Sequence, residues 1–426
     1  MSEVVKKQKF KFTKLELSWI LYDIGNSAFT MMVSTIIPLW FHALASDVGI
    51  ASHDYLAYWS YATSIATIIV AILGPICGTI ADNKGFKKPM FTGALIIGAI
   101  MCVSMGLANS WIAYLIIYII AKSAYSASLV FYDAMLTDVT THERMDMVSS
   151  QGYAWGYIGS CLPFGAALVI YLMGPSMGLT SQQAIIIDFL IIALWWVGIT
   201  IPLLKGYKQK YYVESQGKGA IKESFKRLGH TLTRMVKEEK KVFLFLVAFF
   251  LYIDGVYTII DEAVAIGAAL GLDTTGLLIA LLVTQVIAFG FALIFGQLSK
   301  KINSITLISV CIGGYTFVAI FALFLTNLVQ FWIMAFVVGM FQGAIQALSR
   351  SYYAKIIPAK NSGEYFGLFD ICGKGAAFMG TTLMGIATQL TKSVNIGVAT
   401  LGILFVLGFL MLRKSAKMPS TDQVAE

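Results

Sequence analysis

Apolar runs of about 20 residues or more recur along this 426-residue chain, and they constrain its fold more than any other feature. A run of that length crosses the hydrocarbon core of a bilayer as an α-helix. Hydrophobic residues make up 58% of the chain and charged residues only 13%, which is too little charge to cover a soluble domain of this size. The short alternating segments of a membrane β-barrel are absent. The sequence therefore predicts an all-α polytopic membrane protein.

The runs predict twelve transmembrane helices in two six-helix pseudo-repeats. Their expected limits are 17–44, 56–81, 89–108, 111–136, 150–173, 183–204, 242–268, 275–298, 303–326, 330–354, 365–389 and 393–412. Two short stretches echo each other at the openings of the halves, "LYDIG" (21–25) and "LYIDG" (251–255). Two sets of six helices related as parallel repeats are typical of secondary transporters.

A long polar stretch divides the two sets, so we predict three regions: 1–204, the linker 205–241, and 242–426. The later half of the linker is typical of a basic amphipathic helix, with one apolar face made of Ile221, Phe225, Leu228, Leu232 and Met235. We interpret it as a helix lying on the cytoplasmic membrane surface. A regulatory binding site is the alternative.

Basic residues mark one side of the membrane. With the N-terminus in the cytoplasm, all but three of the 31 Lys and Arg residues fall in the tails, loops and helix ends of that side. The exceptions are Lys122 and Lys374 inside spans and Lys392 on the opposite side. Because Lys and Arg favour cytoplasmic loops, we predict a multi-pass cell-membrane protein with both termini cytoplasmic. Contact with anionic membrane lipids accounts for the net charge of +8 without a nucleic-acid partner.

Several classes of site are excluded by pattern. The five cysteines lie inside apolar runs and are expected to be small packing residues. The four histidines lack metal-ligand spacing, so we predict no metal site. No nucleotide-binding loop or catalytic triad is visible, so we predict that the chain is not an enzyme and needs no cofactor. The first apolar run is too long for a signal-peptide core, and we expect it to be an uncleaved span.

The loop after the second span, "GPICGTIADNKGFKK" (74–88), resembles the signature of the major facilitator superfamily, G-x-x-x-D-x-x-G-x-[RK]-[RK]. The matching residues are Gly78, Asp82, Gly85, Lys87 and Lys88. The glycines permit a tight turn and close helix approach. Asp82 is expected to accept hydrogen bonds from a neighbouring helix end and to pair with a basic residue. We predict a conformational latch here.

Further blocks resemble one branch of that superfamily, the autophagy-related vacuolar-effluxer-like permeases. They occur in both halves of the chain: "WILYDIGNSAF" (19–29), "SLVFYDAML" (128–136), "GYAWGYIGS" (152–160), "FLYIDG" (250–255), "FQGAIQALSRSYYAKIIP" (341–358) and "GEYFGLFDICGK" (363–374). The resemblance implies the major facilitator fold and secondary transport. Fungal members of this branch are associated with amino-acid release from the vacuole.

Ionisable residues inside the spans are the candidates for a transport site. A charge at the bilayer centre costs about 2.5–3.5 kcal/mol, so such residues persist where they face a wet cavity or a partner. The candidates are Asp23, Lys122, Asp133, Asp188, Asp254, Asp261, Glu262, Asp370 and Lys374. Of these, Asp188 lies near one end of its span, and we expect it to be solvated.

Asp23 and Asp254 occupy matching places in spans one and seven. Asn26 and Ser27 extend the polar face around Asp23, and Tyr257 and Asp261 share a helical face with Asp254. We predict that Asp23, Asn26 and Asp254 form the site, where a carboxylate carries a proton or anchors a substrate ammonium group. The alternative for each aspartate is a hydrogen bond that fixes two helices together.

The basic residues of the spans are expected to set the charge balance of the site. Lys122 and Asp133 share a face of span four but are about 16 Å apart along the axis, too far to pair. Asp370 and Lys374 are one turn apart and can pair, either as a fixed ion pair or until substrate displaces it.

Arg350 and Gln346 share a helical face of span ten with Gln342. A guanidinium facing the cavity would hold a substrate carboxylate. The alternative is a gate in which Arg350 pairs with an acidic residue of a loop.

These observations predict a secondary active transporter of a small polar or zwitterionic solute, such as an amino acid, working by efflux and rocker-switch alternating access. Proton coupling through Asp23 or Asp254 is one hypothesis. The expected partners are a small-molecule substrate, protons and membrane lipids. Two alternatives stay open: a carrier of an amphiphile, lipid or drug, and a non-transporting membrane sensor or scaffold that signals through the linker.

Overall fold

The structure is a computed structural model that describes residues 11–50, 52–214 and 220–419. Within these ranges, the side chains of residues 52–57, 220–225, 268, 274, 278 and 374–378 lie outside the description, including those of Ile221, Phe225 and Lys374. The described chain is built from α-helices joined by short loops and 3-10 turns. One isolated β-bridge, between Asn83 and Val213, joins two of those loops.

Eighteen α-helices make up the described chain. In chain order their bounds are α1 Lys14–Val33, α2 Ile36–Asp47, α3 Ser52–Ala81, α4 Lys87–Gly106, α5 Trp111–Ala134, α6 Leu136–Val139, α7 Met145–Gly159, α8 Cys161–Met173, α9 Ser181–Gly206, α10 Ala220–Lys237, α11 Lys240–Asp261, α12 Ala263–Ala269, α13 Thr274–Leu298, α14 Ser304–Phe321, α15 Leu328–Ile356, α16 Ser362–Thr391, α17 Val394–Ala399 and α18 Leu401–Ala416.

Eleven segments of the described chain are long and apolar enough to cross a membrane. Some of them join two helices, as α1 with α2, α7 with α8, and α17 with α18. The remaining predicted span, 365–389, falls within α16, which has 30 residues and carries Asp370 and Lys374. Each of the twelve predicted spans therefore corresponds to a helical segment.

Side-chain caps at the helix starts explain where several helices begin. The Thr13 hydroxyl accepts the N–H of Glu16, whose carboxylate accepts the N–H of Thr13 in return. Asp273, Asn303 and Asn327 cap α13, α14 and α15 in a similar way. Such caps satisfy N–H groups that have no partner within the helix, so they fix the helix ends beside each loop.

Both termini of the described chain lie at one end of the helix bundle, which we call the terminal end. The loops that follow α3, α6 and α15 lie there too. In the loop after α6, Arg144 donates to the Lys11 carbonyl near the N-terminus. The His142 ring of the same loop bonds to the Lys355 carbonyl near the end of α15. The other end is called the opposite end.

The first six spanning segments form one half of the bundle and the last six form the other. Helix α3 packs along α16, and α7 packs against α13 and α15. Hydrogen bonds and ion pairs join the halves on the terminal side, such as the bond from Ser149 Oγ to the Ala347 carbonyl at 2.7 Å. In the described structure the halves are thus bonded together on the terminal side.

The linker helix α10 packs against α3 and α11, and sequence reasoning did not predict these contacts. The Arg227 guanidinium donates to the Thr79 carbonyl of the first half at 2.5 Å and lies 3.4 Å from the Glu364 carboxylate of the second half. Leu232, expected on the apolar face, is 46% exposed, whereas Met235 is buried. Polar contacts with both halves, which helix periodicity does not reveal, determine its place.

Candidate functional site

Arg350 lies at the centre of the contact between the halves. Its Nη2 is 3.0 Å from Asp23 Oδ2 on α1, and its Nη1 is 3.1 Å from Asp133 Oδ1 on α5. The Nε group donates to Ser149 Oγ on α7 at 2.9 Å, and Nη2 also reaches the Ser149 carbonyl at 3.2 Å. One guanidinium from the second half therefore joins three helices of the first half. We call Asp23, Asp133 and Arg350 the central ion cluster.

Aromatic rings enclose the central ion cluster. The Arg350 guanidinium carbon lies 4.7 Å from the ring centroid of Trp19, 4.4 Å from that of Tyr153 and 5.5 Å from that of Tyr132. Trp19 and Tyr132 stack with their centroids 4.3 Å apart. Because a guanidinium is planar and weakly hydrated, stacking on aromatic faces offsets part of its loss of water.

Two glycines on α7 let it approach α1 closely and leave room for the central ion cluster. A Cβ atom at Gly152 would overlap Asp23 Oδ2 and lie 3.2 Å from Arg350 Nη2, so no larger residue fits there without movement. One turn further along α7, a Cβ atom at Gly156 would lie 2.9 Å from Ser27 Oγ. The spacing of these glycines thus places the Asp23 carboxylate against the guanidinium.

The neighbours of Asp23 belong to the polar face predicted on α1. The Asn26 amide donates to the Tyr22 carbonyl at 3.0 Å and to Asp23 Oδ1 at 3.4 Å, and Tyr125 donates to Asn26 Oδ1 at 3.3 Å. Ser27 donates to the Asp23 carbonyl at 2.7 Å. These bonds fix the side chains of Asp23 and Asn26 in place.

Gln346 lies one turn from Arg350 on α15. Its amide donates to the Gln342 carbonyl at 3.0 Å and to the Tyr157 hydroxyl of α7 at 3.3 Å. Gln346 is therefore a second contact from α15 to the first half.

Other predicted site residues surround the cluster at greater range. Asp370, on α16, interacts electrostatically with Asp133 and with the Tyr257 hydroxyl of α11. Lys122, on α5, lies over the Tyr125 ring at 5.8 Å and interacts electrostatically with the exposed Asp261 of the second half. The pairing of Asp370 with Lys374 is not described, because the Lys374 side chain lies outside the description.

Asp254 lies in a different environment from the one predicted. It is fully buried, and its Oδ1 accepts the N–H of Gly380 on α16 at 2.9 Å. Its Oδ2 and the nearby Thr258 hydroxyl have no hydrogen-bond partner in the described structure. Its hydrogen-bond partner, Gly380, and the neighbouring Thr258 both belong to the second half. The helix-packing alternative therefore describes Asp254 better than a site shared with Asp23.

Asp188 contradicts the expectation that it is solvated. The side chain is fully buried in α9, and neither carboxylate oxygen has a hydrogen-bond partner among the described residues. The expectation failed because it considered only position along the span. Helices α1, α4 and α8 pack against α9, and a Cβ atom at Gly106 of α4 would lie 3.0 Å from the Ile186 Cα, close to Asp188.

The signature loop makes a second site between the halves, at the terminal end. Asp82 accepts the N–H groups of Gly363 and Glu364, at the start of α16, at 2.8 and 2.9 Å. Lys87 is fully buried and lies 3.7 Å from Asp82, 3.4 Å from Asp138, and 2.8 Å from the Ser362 hydroxyl of the second half. A carboxylate at the N-terminus of a helix also benefits from the helix dipole.

The remaining signature residues determine how closely the helices approach. A Cβ atom at Gly78 would overlap the Gly363 carbonyl, so α3 and α16 touch through their backbones. Gly85 adopts φ +79°, a left-handed conformation that favours glycine in the tight turn before α4. Lys88 is half-buried at the start of α4.

Burial also changes the pKa of the Asp82 carboxyl group. It raises the pKa of Asp82 to about 6, although Lys87 and the N–H groups of Glu364 and Gly363 favour the charged form. Desolvation disfavours the charged carboxylate and outweighs those contacts.

Sequence reasoning missed a third group of contacts between the halves. Lys355 Nζ on α15 lies 2.5 Å from Asp146 Oδ2 on α7. Ser351 and Ser304 donate to the same carboxylate at 2.6 and 2.8 Å. The acidic residue at the start of span five and the lysine near the end of span ten were visible in the sequence. Nothing in their spacing, more than 200 residues apart, showed that they meet.

The central ion cluster carries a net charge of −1 when both carboxylates are ionised. It can therefore accept one more positive charge, from a proton or an ammonium group. Arg350 can in turn exchange a carboxylate partner for an anionic group of a bound molecule, because bidentate guanidinium bonds suit any carboxylate. The arrangement suits binding and release at the boundary between the halves, and it contains no nucleophile with a base beside it.

The chain is similar to known proteins over nearly its whole length. A model of the family described as "Vacuole effluxer Atg22 like" matches residues 13–419. The chain is 40% identical over 417 residues to the "Uncharacterized MFS-type transporter YxiO" of Bacillus subtilis (strain 168), with 97% of both chains covered. It is 23% identical over 488 residues to "Autophagy-related protein 22" of Saccharomyces cerevisiae (strain YJM789), covering 93% of this chain and 90% of the yeast protein.

Solved structures of major facilitator transporters are similar in fold. The transporter FucP in its outward conformation has a TM-score of 0.71 at 12% identity, with 95% of this chain and 98% of that chain covered. A bacterial homologue of the iron transporter ferroportin in an outward-facing state has a TM-score of 0.69 at 12% identity, with 95% and 99% covered. At this identity the likeness shows the fold alone, and the predicted major facilitator fold is confirmed.

Proposed function

The chain belongs to the Atg22-like family of vacuole effluxers and is a transporter of the major facilitator type, and from this premise we propose its cargo and mechanism. The cargo is a small zwitterionic solute of the amino-acid class. The two halves, 1–204 and 242–426, rock about the central ion cluster to expose it to one side of the membrane at a time. The linker 205–241 connects them through α10.

The observation that carries this proposal is the bridging of Asp23 and Asp133 by Arg350. The cluster joins the halves and holds one carboxylate in excess, so an arriving ammonium group finds an acidic partner. The carboxylate of the same molecule competes for the guanidinium. Asp133 is the more exposed acid, with 20% of its side chain accessible against 9% for Asp23. Solute therefore meets Asp133 first.

Contacts between the halves at the terminal end support alternating access. Asp82, Lys87 and Asp146 bond the halves at the terminal end, so the described arrangement is closed on that side. Solute enters and leaves the described state from the opposite end. With basic residues concentrated at the terminal end, that end faces the cytoplasm of a cell-membrane transporter. The described state is then the outward-facing one, which releases cargo in an export cycle.

Proton coupling is the second part of the proposal. One proton on Asp133 or Asp23 neutralises the excess charge, which makes the empty cluster able to change sides. Charged groups that cross a low-dielectric barrier need such neutralisation.

Transport into vesicles tests both parts. The purified protein is reconstituted in proteoliposomes loaded with unlabelled amino acids, and exchange against labelled amino acids is measured with and without a pH gradient. We expect saturable exchange of at least one amino acid that needs both the amino and the carboxyl group, and net flux that follows the pH gradient.

Matched variants separate the outcomes. Asp133→Asn keeps the shape of the side chain, removes the excess charge, and is expected to lower exchange by about tenfold. Exchange of none of the amino acids tested, with the protein folded, overturns the cargo assignment. Net flux that is indifferent to the pH gradient overturns proton coupling and leaves the cargo assignment intact.

A further inference from the structure

Helix α10 lies across the boundary between the halves, where membrane-spanning segments begin and end. The Arg227 guanidinium donates to the Thr79 carbonyl close to the end of α3. The same guanidinium lies 3.4 Å from the Glu364 carboxylate close to the start of α16. Further along α10, Arg234 donates to the Tyr365 hydroxyl at 3.1 Å. The helix therefore lies at the level of the membrane boundary on the terminal side.

One face of α10 is turned to the protein. Thr231 and Met235, one turn apart, are both buried. The Thr231 hydroxyl bonds to the Glu364 carboxylate, which gives this buried polar group a partner. The bundle thus covers this face.

Another side of α10 is apolar and exposed. Leu232 and Val236 lie one turn apart on it and are 46% and 52% exposed. Lys226, His230 and Lys237 are exposed along the adjoining side of the helix. We call these five residues the outer face. The chain has no acidic residue between Lys226 and Lys237, so the outer face combines apolar surface with positive charge.

This combination suits a lipid surface better than a protein partner. A specific protein interface takes about 20–30 residues from each partner, and the outer face is far smaller. A basic amphipathic helix at a membrane boundary instead places its apolar side chains between headgroups and acyl chains. Its lysines are attracted by anionic lipids.

We propose that the outer face of α10 binds anionic lipid headgroups, and that lipid bound there favours the state closed at the terminal end. Leu232 and Val236 enter the boundary between headgroups and acyl chains. Lys226 and Lys237 contact the phosphates of lipids that carry a net negative charge.

The effect on the closed state rests on the proposed alternating access. Arg227 reaches Thr79 of the first half and Glu364 of the second while α3 and α16 touch, as they do at Gly78 and Gly363. Opening the terminal end separates these helices, so Arg227 keeps contact with one half and α10 loses its fixed place. A lipid that binds the outer face in that place has the higher affinity for the closed state and raises its population.

The accessibility of a spin label tests the contact with lipid. A label at Val236, in a chain without its native cysteines, is probed with oxygen, which concentrates in the bilayer, and with a nickel chelate, which stays in water. Nanodiscs of phosphatidylcholine are compared with nanodiscs that also contain phosphatidylglycerol. We expect phosphatidylglycerol to raise access of oxygen and lower access of the chelate. A label at the exposed Thr141, in the loop after α6, should stay open to the chelate in both.

Two pairs of lysine variants show whether the charge of α10 is responsible. Lys226→Gln with Lys237→Gln should reduce the lipid-dependent change at Val236 by at least about half, since each lysine near an anionic surface contributes to binding. Lys414→Gln with Lys417→Gln is the matched control, because it removes two exposed lysines near the end of α18. This second pair should leave the change intact.

The distance between labels at Thr141 and Lys301, one in each half, tests the effect on closing. Phosphatidylglycerol should shorten this distance. Arg227→Gln removes the bridge between the halves and leaves the outer face as it is. In this variant the label at Val236 should still respond to phosphatidylglycerol, whereas the distance should not.

The proposal requires the complete pattern. A Val236 label shielded from both probes is covered by protein, such as a second copy of the chain, and one open to the chelate in both lipids lies in water. Either result overturns the proposal. So do equal effects of the two lysine pairs, a distance that ignores phosphatidylglycerol, and a lipid-dependent distance that persists in Arg227→Gln. None of these readouts uses a transported solute, so the cargo assignment and this surface fail or succeed separately.

Discussion

Arg350 is 2% exposed, and three side chains of the opposite half hold it. Burying an ion pair gives little net stability, because loss of water offsets the attraction. Removing one partner is different, since it leaves a buried charge unpaired at a cost of about 3–5 kcal/mol. The residues of the central ion cluster are therefore linked, and a change at one is felt by the others. In the proposed mechanism, a solute that replaces one partner moves the halves through this linkage.

The first prediction concerns the shape of the Arg350 side chain. Arg350→Lys keeps the positive charge, but an ammonium group cannot reach Asp23, Asp133 and Ser149 together or stack between Trp19 and Tyr153. We expect exchange in proteoliposomes to fall at least about tenfold while the protein stays folded by thermal unfolding.

Arg413→Lys is the matched control for this variant, since Arg413 is exposed on α18 and lies over the Phe409 ring. It should retain wild-type exchange. Equal exchange in Arg350→Lys and wild type would show that charge alone suffices at the cluster.

The second prediction separates Asp254 from the cluster. In Asp254→Asn the amide oxygen can still accept the Gly380 N–H, and a neutral amide is less costly to bury than a carboxylate oxygen without a partner. We expect the unfolding temperature to stay the same or rise by a few degrees, and exchange to stay within about twofold of wild type. A stable Asp254→Asn protein without exchange would return Asp254 to the transport site.

At the scale of elements, length and hydropathy were sufficient to locate the spans, because each must cross the same thickness of hydrocarbon. They were not sufficient for α10. Its amphipathic pattern did not predict the contacts of Arg227 with Thr79 and Glu364, because these residues belong to other helices. Periodicity describes the face of a helix, whereas its partner is a tertiary property.

The third prediction tests the contact between α3 and α16. Gly78→Ala places a Cβ atom on the Gly363 carbonyl, and overpacking of this kind costs about 1–3 kcal/mol. The clash exists only while the halves are closed at the terminal end. We therefore expect a shift toward the state open at that end, by about tenfold in the equilibrium.

Spin labels measure this shift, one in each half, at the exposed positions Thr141 and Lys301 in a chain without its native cysteines. The label distance should lengthen in Gly78→Ala. Gly93→Ala on α4 is the control, because a Cβ atom there has nothing within 4 Å. Similar distances in both variants would mean that this contact does not control closure.

At the scale of the whole molecule, the sequence located the ionisable residues but could not pair them. Asp23 and Arg350 are 327 positions apart, and their meeting depends on how the halves pack. The alternative that Arg350 pairs with a loop acid was wrong, because its partners lie within α1 and α5. The contacts of Asp82 were expected from the signature, whose spacing fixes a local turn. The pairing of Asp146 with Lys355 has no such local signal, and it was missed.

The last prediction concerns pH and the closing of the whole molecule. The pKa of Asp82 is raised to about 6 when the terminal end is closed, and it returns toward the ordinary aspartate value of 3.8 when opening exposes the carboxylate to water. A carboxyl group with the higher pKa in the closed state binds protons more tightly there. Closure is therefore favoured as pH falls through about 6, and the effect is complete below about 4, with a limit of about a hundredfold in the equilibrium constant. Above pH 7 the Asp82 carboxyl group is ionised in both states and the effect vanishes.

The label distance between Thr141 and Lys301 should shift toward the closed value between pH 7 and 5, and Asp82→Asn should remove that part of the pH response. A response of equal size in Asp82→Asn would assign the pH dependence of closing to other groups, such as those of the central ion cluster.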